Sequence, residues 1–126
     1  MTTAIDEKLA TYKELQSDIQ QLYLLKQQSL AQFNENTLVK GELDMLNEET
    51  PVFKLVGPVL MKVSAEESKE NVGKRLQFIE AEITKLDNQI AEKQGLQTTV
   101  GEEISKLQQE MQKDAAAAVK QIVDDA

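Results

Sequence analysis

Two long stretches of the chain carry apolar residues at alternating intervals of three and four positions. They span about residues 5–47 and 65–119, and a short apolar segment separates them. The first stripe is Ile5, Leu9, Tyr12, Gln16, Ile19, Tyr23, Lys26, Leu30 and Phe33, and the second is Val72, Leu76, Ile79, Ile83, Leu86, Ile90, Lys93, Gln97, Val100, Ile104, Leu107 and Met111. This spacing keeps the apolar side chains on one side of a helix, so that each helix can pack along its length against a partner. The sequence therefore predicts a mainly α fold: a long antiparallel two-helix coiled-coil hairpin with one β-hairpin between the helices.

Local signals indicate where these elements begin and end. Pro51 disfavours the α conformation in the residue before it and should end the first helix. Ser64 and Glu67 form a capping box, which is a common start of a helix. Acidic residues near position 125 oppose the helix dipole and predict fraying there. We expect one structural unit over residues 1–126, with helix one in 1–49, a β-hairpin in 50–63, helix two in 64–122 and a frayed tail in 123–126.

The segment between the helices reads as two short strands around a turn at Gly57 and Pro58. An isolated two-stranded hairpin is marginally stable in water. Since no other part of this chain can extend the sheet, we expect the strands to join strands of other chains. The predicted assembly residues are Val52, Phe53, Leu55, Val56, Gly57, Pro58, Val59, Leu60, Met61 and Val63.

The charge and hydropathy of the chain argue against several classes of function. The net charge is −8, and 14 basic residues lie scattered among 22 acidic ones, so no basic patch for nucleic acid is expected. No apolar run approaches the ~20 residues of a membrane span, and the first residues do not resemble a secretory signal. We therefore expect a soluble intracellular protein with neither a nucleic-acid nor a membrane partner.

The side chains most used in catalysis and metal binding are scarce. The chain has no histidine and no cysteine, which removes most nucleophilic, general-base and transition-metal sites. Adjacent acidic residues such as Glu102 and Glu103 do not face each other on a helix, so they are expected to lie in solvent. The sequence predicts no enzyme activity, no catalytic residue, no bound metal and no cofactor.

Folding the chain back at the hairpin aligns the two apolar stripes, with Tyr12 opposite Ile104. Both ends of the chain then lie at one end of the coiled coil, which we call the tip. Toward the tip, the stripes are interrupted by Gln16, Lys26, Lys93 and Gln97. Either these polar residues fix the register of the two helices, or they make the tip loose and partly open. The sequence leaves both interpretations open.

Helix one carries more apolar residues than a single interhelical stripe needs. Leu15, Leu22 and Leu25 flank the stripe, and Leu24 points away from it. Such residues either pack against a neighbouring subunit or form an exposed binding surface. A flexible apolar surface that includes Met111 would bind apolar segments with little sequence preference.

Three segments of the chain resemble one known family. The sequence FKLVGPVL at 53–60 resembles the hairpin of β-class prefoldin subunits. The sequence QFNENTLV at 32–39 is similar to the end of their first helix, and NVGKRLQFI at 71–79 is similar to the start of their second. The resemblance covers nearly the whole chain and is strongest over residues 32–90.

This resemblance implies a hetero-hexamer of α-class and β-class prefoldin subunits in the cytoplasm. Their hairpins would assemble into a platform that carries the coiled coils. The tips would hold unfolded proteins, chiefly actin and tubulin, and pass them to the cytosolic chaperonin without ATP. Carried onto this chain, the client-binding tip would comprise Ile5, Leu9, Tyr12, Leu15, Ile19, Leu22, Ile104, Leu107, Met111, Val119 and Ile122.

A different class of function also fits a long coiled coil. The chain would then be a structural adaptor whose tip binds one specific folded partner. Suppression of aggregation separates the two hypotheses, because a chaperone protects several unrelated unfolded proteins and an adaptor does not.

Overall fold

The computed structural model describes residues 2–47 and 49–126. Its elements, in chain order, are α1 (Thr2–Met45), β1 (Val52–Val56), β2 (Val59–Val63) and α2 (Ala65–Asp125). Hydrogen bonds join early residues of α1 to late residues of α2, so the two helices pack antiparallel. The predicted fold class, mainly α with one β-hairpin between two antiparallel helices, is confirmed.

Helix α1 ends at Met45, short of the predicted boundary at residue 49. The backbone amide of Thr50 donates to the carbonyl oxygen of Asn47 at 3.2 Å. The Thr50 hydroxyl donates to the Asn47 side-chain oxygen at 2.8 Å. These local hydrogen bonds offer the backbone an alternative to the helix. Two residues of the predicted helix, Met1 and Glu48, lie outside the described part of the chain.

Helix α2 begins where the capping box predicted and continues further than expected. The backbone amide of Glu67 donates to the Ser64 hydroxyl at 3.0 Å, which satisfies one of the free N–H groups of the first turn. The helix then continues to Asp125, whereas the sequence predicted an end at residue 122 and a frayed tail over 123–126. Alanine has the highest helix propensity, and the four alanines at 115–118 favour helix through this region.

The two strands pair antiparallel, with Val56 opposite Val59 beside the turn. Gly57 has a φ of 59°, a left-handed value that glycine adopts without strain. Pro58 holds its own φ near −65°. A positive φ followed by a negative one is the pattern of a type II′ turn, whose twist suits an antiparallel hairpin. Within the described residues the sheet consists of these two strands, so one edge of each strand is unpaired.

Contacts divide the chain into two compact units. Unit 1 comprises Met1–Tyr23 and Asn88–Ala126, and unit 2 comprises Leu24–Asp87, which includes the hairpin. Among the described residues, the buried apolar side chains of unit 1 are Ile5, Leu15, Ile19, Ile90 and Ile104. Those of unit 2 are Leu43, Val72, Ile79 and Leu86. The core of each unit is therefore a row of aliphatic side chains between α1 and α2, and the single structural unit over 1–126 stays a prediction.

The apolar stripe of α2 lies as predicted, whereas that of α1 does so only in part, with Ile5 and Ile19 buried as expected. All the buried residues of α2 belong to its predicted stripe. In α1 the structure buries Leu15 and half-buries Leu22, which were predicted to flank the stripe, and exposes Gln16 and Tyr23, which were predicted to lie in it. Burying leucine instead of glutamine or tyrosine avoids the desolvation of a polar group. The leucines therefore face α2, and the amide of Gln16 and the hydroxyl of Tyr23 stay at the edge of the interhelical contact.

Candidate interaction surfaces

The β-hairpin exposes large apolar side chains. Residues directly opposite each other in antiparallel strands share a face, so Phe53, Leu55 and Leu60 lie together on what we call the outer face. Leu55 and Leu60 are 67% and 66% exposed. Of the predicted assembly residues, Val52 and Val63 are half-buried, and Phe53, Leu55, Val56, Gly57, Pro58, Val59, Leu60 and Met61 are exposed. Most of the predicted assembly residues are thus exposed to solvent, and they are distributed over both faces of the hairpin.

The opposite face of the hairpin lines a groove that it shares with the neighbouring helix ends. Val56 and Met61 form the hairpin side of this groove, Val39 and Leu43 form the α1 side, and Val72 belongs to α2. Phe53 also lines the groove, so its side chain contributes to both faces of the hairpin. Its volume is about 380 Å³. We call this feature the hairpin groove. All of its lining residues belong to unit 2, so hairpin and helices together build it within that unit.

Charged side chains stand among the apolar residues of the hairpin groove. Lys54 of β1 and Arg75 of α2 both line it, and Glu67 is the acidic residue that does so. The groove therefore has a local excess of positive charge in a chain whose net charge is −8. An apolar groove with a few placed charged groups is the usual form of a specific binding site.

The predicted tip residues all lie in unit 1 and fall into three groups by burial. Ile5, Leu15, Ile19 and Ile104 are buried between the helices. Leu22 and Leu107 are half-buried. Leu9, Tyr12, Met111, Val119 and Ile122 are exposed, with Val119 at 60% and Ile122 at 69%. Only the exposed group is available for binding in this structure, because the side chains of the buried group pack between the two helices.

Polar side chains of unit 1 join the two helices along their edges. The side-chain amide of Gln97 donates to the Gln16 side-chain oxygen at 2.6 Å. That of Gln94 donates to the Tyr23 hydroxyl at 3.1 Å. The Tyr12 ring lies in van der Waals range of position 101, one helical turn away from Ile104, its predicted partner. These contacts favour the interpretation in which polar residues fix the register.

Ion pairs add to these cross-helix contacts. In unit 1, Lys8 pairs with Glu103, and the Lys93 ammonium lies 3.5 Å from an Asp18 carboxylate oxygen. In unit 2 the Lys26 ammonium lies 2.6 Å from an Asp87 carboxylate oxygen. Exposed ion pairs contribute only about 0–1 kcal/mol each to stability. Their effect is therefore mainly on which residues face each other.

Several exposed apolar residues of unit 2 lie outside the surfaces predicted from the sequence. Among them are Leu38, Met45 and Phe78, and Phe78 is 73% exposed. Phe78 directly precedes the buried Ile79, so it points away from the interhelical core. Its position beside the stripe was a usable signal. The hairpin groove had no such signal, because its walls come from four separate elements, α1, β1, β2 and α2.

The described residues form neither a membrane-spanning helix nor a cluster of metal ligands. Within 2–47 and 49–126, no helix is both long and apolar enough to cross a membrane. In the same residues, no three acidic side chains converge in a group that could hold a metal ion. The prominent features of this surface are therefore its apolar regions.

The family of the chain follows from its match to a family model. A model described as "Prefoldin subunit" matches residues 6–118, which is most of the sequence. The chain belongs to the prefoldin subunit family. The predicted resemblance is confirmed. Prefoldin subunits are chaperone-type, non-enzymatic proteins that act in protein folding as members of a multi-subunit prefoldin complex.

Several curated prefoldin subunits are similar to this chain over most of its length. "Prefoldin subunit 6" of Saccharomyces cerevisiae is 40% identical over 102 residues, which are 81% of this chain and 83% of that protein. The human protein of the same name is 40% identical over 106 residues, or 84% and 82% of the two chains. The Arabidopsis thaliana protein is 37% identical over 116 residues, or 92% and 90%.

Two solved prefoldin structures share the fold. The prefoldin beta subunit from Thermococcus strain KS-1 matches with a TM-score of 0.79 at 16% identity, over 82% of this chain and 91% of that chain. The beta2 subunit from the same strain matches with a TM-score of 0.56 at 22% identity, over 78% and 97%. At these identities the match concerns the fold, and it agrees with the β-class prefoldin resemblance of the sequence.

Proposed function

We propose that this chain is one subunit of a hexameric, ATP-independent co-chaperone in the cytoplasm. It assembles with other α-class and β-class prefoldin subunits, captures unfolded proteins of the actin and tubulin class, and delivers them to the cytosolic chaperonin. The observation that carries the proposal is exposed apolar surface in both units: the hairpin in unit 2 and the predicted tip residues in unit 1.

The hairpin supports the assembly part of the proposal. Its outer face carries Phe53, Leu55 and Leu60 in water, and each strand has an unpaired edge in the described chain. Two-stranded sheets need further strands or a packing partner for stability. Strands from neighbouring subunits would pair with the free edges of the hairpin, and they would also cover its apolar faces.

The exposed residues of unit 1 support the capture of clients. Leu9, Tyr12 and Met111 lie at the edge of the interhelical core, each between 37% and 38% exposed. Val119 and Ile122 share one side of α2 because they are three positions apart. Apolar surface of this kind binds apolar segments of an unfolded chain without demanding a particular sequence. In this scheme the buried Ile5, Leu15, Ile19 and Ile104 hold the helices together, and the half-buried Leu22 and Leu107 border the surface.

The proposal is tested by removing the predicted tip in the assembled complex. Deletion of residues 1–12 together with 112–126 should leave the native mass of the co-expressed complex at that of a hexamer. Aggregation of denatured actin and of an unrelated denatured protein, followed by light scattering, should no longer be suppressed. Undiminished protection of both proteins by the truncated complex would contradict client capture at the tip.

A finer variant separates apolar contact from helix length. Val119→Gln with Ile122→Gln removes the exposed apolar side chains but keeps residues with good helix propensity. Lys120→Gln serves as the matched control, because it introduces the same residue on the same turn and leaves the apolar surface intact. We expect the double variant to suppress aggregation less than wild type and the control to match wild type. Protection that is limited to one protein would instead favour the adaptor function.

A further inference from the structure

We propose that the hairpin groove binds an acidic, apolar segment of a partner prefoldin subunit. This inference goes beyond pairing of the strand edges and the outer face of the hairpin, since it concerns the face that points at the helices. It rests on the proposed assembly, because it takes its occupant from a neighbouring subunit of the same complex.

The groove offers apolar surface that its own chain does not cover. Val56 and Met61 on the hairpin side are 48% and 51% exposed, and Val39 on the α1 side is 43% exposed. Below them, Leu43 and Val72 are buried and close the bottom. A volume of about 380 Å³ lies within the usual ~300–1,000 Å³ of binding pockets. The groove can therefore take a few side chains of a peptide segment, and aliphatic ones match its lining.

The charges of the groove determine what else the occupant must carry. Within the described residues neither Lys54 nor Arg75 makes an ion pair. By contrast, the ammonium of Lys74, the residue before Arg75, lies 3.4 Å from a Glu70 carboxylate oxygen. A purely apolar occupant would remove water from both cations without supplying an anionic group to pair with them, which is unfavourable. A basic occupant would be repelled. A carboxylate can pair with either cation, and the planar guanidinium of Arg75 suits it in particular.

The position of the groove identifies the source of the segment. Met61 lines the groove, and Leu60, its neighbour in β2, belongs to the outer face. A subunit that pairs with a free edge of this hairpin brings its own residues to the mouth of the groove. The subunit that pairs with the strands could therefore fill the groove as part of the same interface. This favours a partner subunit as the occupant of the groove.

A site-specific cross-link in the co-expressed complex tests the location. A photoreactive benzoylphenylalanine replaces Met61, and, in a second sample, Leu60. We expect irradiation of the Met61 sample to join this chain to a partner-subunit peptide that combines aliphatic residues with Asp or Glu. A linked peptide without an acidic residue, the same peptide from both positions, or no subunit cross-link in an intact complex would overturn the proposal.

Charge reversal tests the chemistry independently. Arg75→Glu with Lys54→Glu should make the exchange of this subunit out of the complex faster by about tenfold or more, measured with a fluorescently labelled chain. Lys74→Glu is the matched control and should exchange at the wild-type rate. Reversal of the cross-linked acidic residue of the partner to Lys should restore slow exchange in the double variant. Wild-type exchange of the double variant would overturn the proposal.

These outcomes separate the inference from the proposed function. If the wild-type chain enters no complex of prefoldin subunits, the proposed assembly itself fails. If the complex forms and the double variant exchanges like wild type, assembly stands and only the occupant of the groove is wrong. Far-UV circular dichroism of each variant establishes that its helices are retained.

Discussion

Leucine and glutamine compete for the same side of α1, and packing decides between them. Leu15 is buried against α2, and the adjacent Gln16 lies at the edge with its side chain hydrogen-bonded to Gln97. The same choice recurs one heptad later, where Leu22 is half-buried and Tyr23 reaches Gln94. A neutral hydrogen bond at an exposed edge contributes about 0.5–1.5 kcal/mol to stability. Contacts of this size are too weak to drive folding but large enough to disfavour a shifted register.

The coupling between Gln16 and Gln97 is a testable residue-level quantity. In a double-mutant cycle of Gln16→Ala and Gln97→Ala, we expect an interaction free energy of about 0.5–1 kcal/mol, because the hydrogen bond is lost once in each single variant. Urea unfolding of the chain at fixed concentration measures it. Strictly additive single effects would show that the two amides are independent and that they do not hold the register.

Two glycines allow a matched test of backbone conformation. Gly95 lies within α2, where a Cβ would have no atom within 4 Å, so Gly95→Ala should stabilise the fold by about 0.5–1 kcal/mol. Gly57→Ala meets no atom either, but its φ of 59° should make the same change cost about 1–2 kcal/mol. Thermal unfolding of both variants measures the difference in sign. A Gly57→Ala variant as stable as Gly95→Ala would contradict the turn geometry.

At the scale of elements, capping and turn residues define where helices and strands begin and end more clearly than the apolar periodicity does. The Ser64 hydroxyl accepts the amide of Glu67, and α2 begins directly after it. Gly57 and Pro58 lie at the only turn between β1 and β2. Both boundaries depend on residues within a few positions of each other, which is why they are visible in the sequence.

The Ser64 cap is therefore expected to control the first turn of α2. Ser64→Ala should lower the free energy of unfolding by about 1 kcal/mol and speed amide hydrogen exchange in residues 65–68. Thr84→Ala is the control: its hydroxyl donates to the Glu80 carbonyl oxygen in the same helix, so its loss should be nearly neutral. Equal effects of the two substitutions would argue against a special role for the cap.

The elements and the buried side of α2 could be predicted from the sequence, whereas the binding surfaces could be predicted only in part. The stripe of α2 has isolated aliphatic residues such as Leu86 and Ile90, which leave one choice of buried side. In α1 the apolar residues are doubled, so the pattern cannot show whether Leu15 or Tyr12 faces the core. The hairpin groove was beyond sequence reasoning, since Val39, Met61 and Arg75 come from different elements.

At the scale of the whole molecule, apolar surface is distributed over both units rather than gathered in one core. Ordinary monomeric proteins expose large apolar residues singly. Here the hairpin exposes a run of them, and unit 1 adds Val119, Ile122 and Val123. A chain of this composition is expected to function only as part of a larger complex, which agrees with its family.

Entry into that complex should depend on the hairpin and not on exposed apolar residues in general. Leu60→Asp places a charge on the outer face and should prevent complex formation, while far-UV helicity stays close to wild type. Leu96→Asp makes the same exchange at an exposed site of α2 outside the hairpin and should assemble normally. Multi-angle light scattering of the co-expressed subunits measures both. A wild-type complex mass for Leu60→Asp would contradict the assembly role.

Because the strand edges of the hairpin are unpaired, the amount of this chain that a cell makes should matter relative to the amount of its partner subunits. Exposed strand edges beside apolar side chains are templates for indiscriminate pairing between chains. Copies made in excess of their partners are left as orphans with this edge uncovered, and they should aggregate or be degraded. Balanced synthesis of the subunits, rather than the intrinsic stability of any one of them, is then what sets the abundance of the working complex.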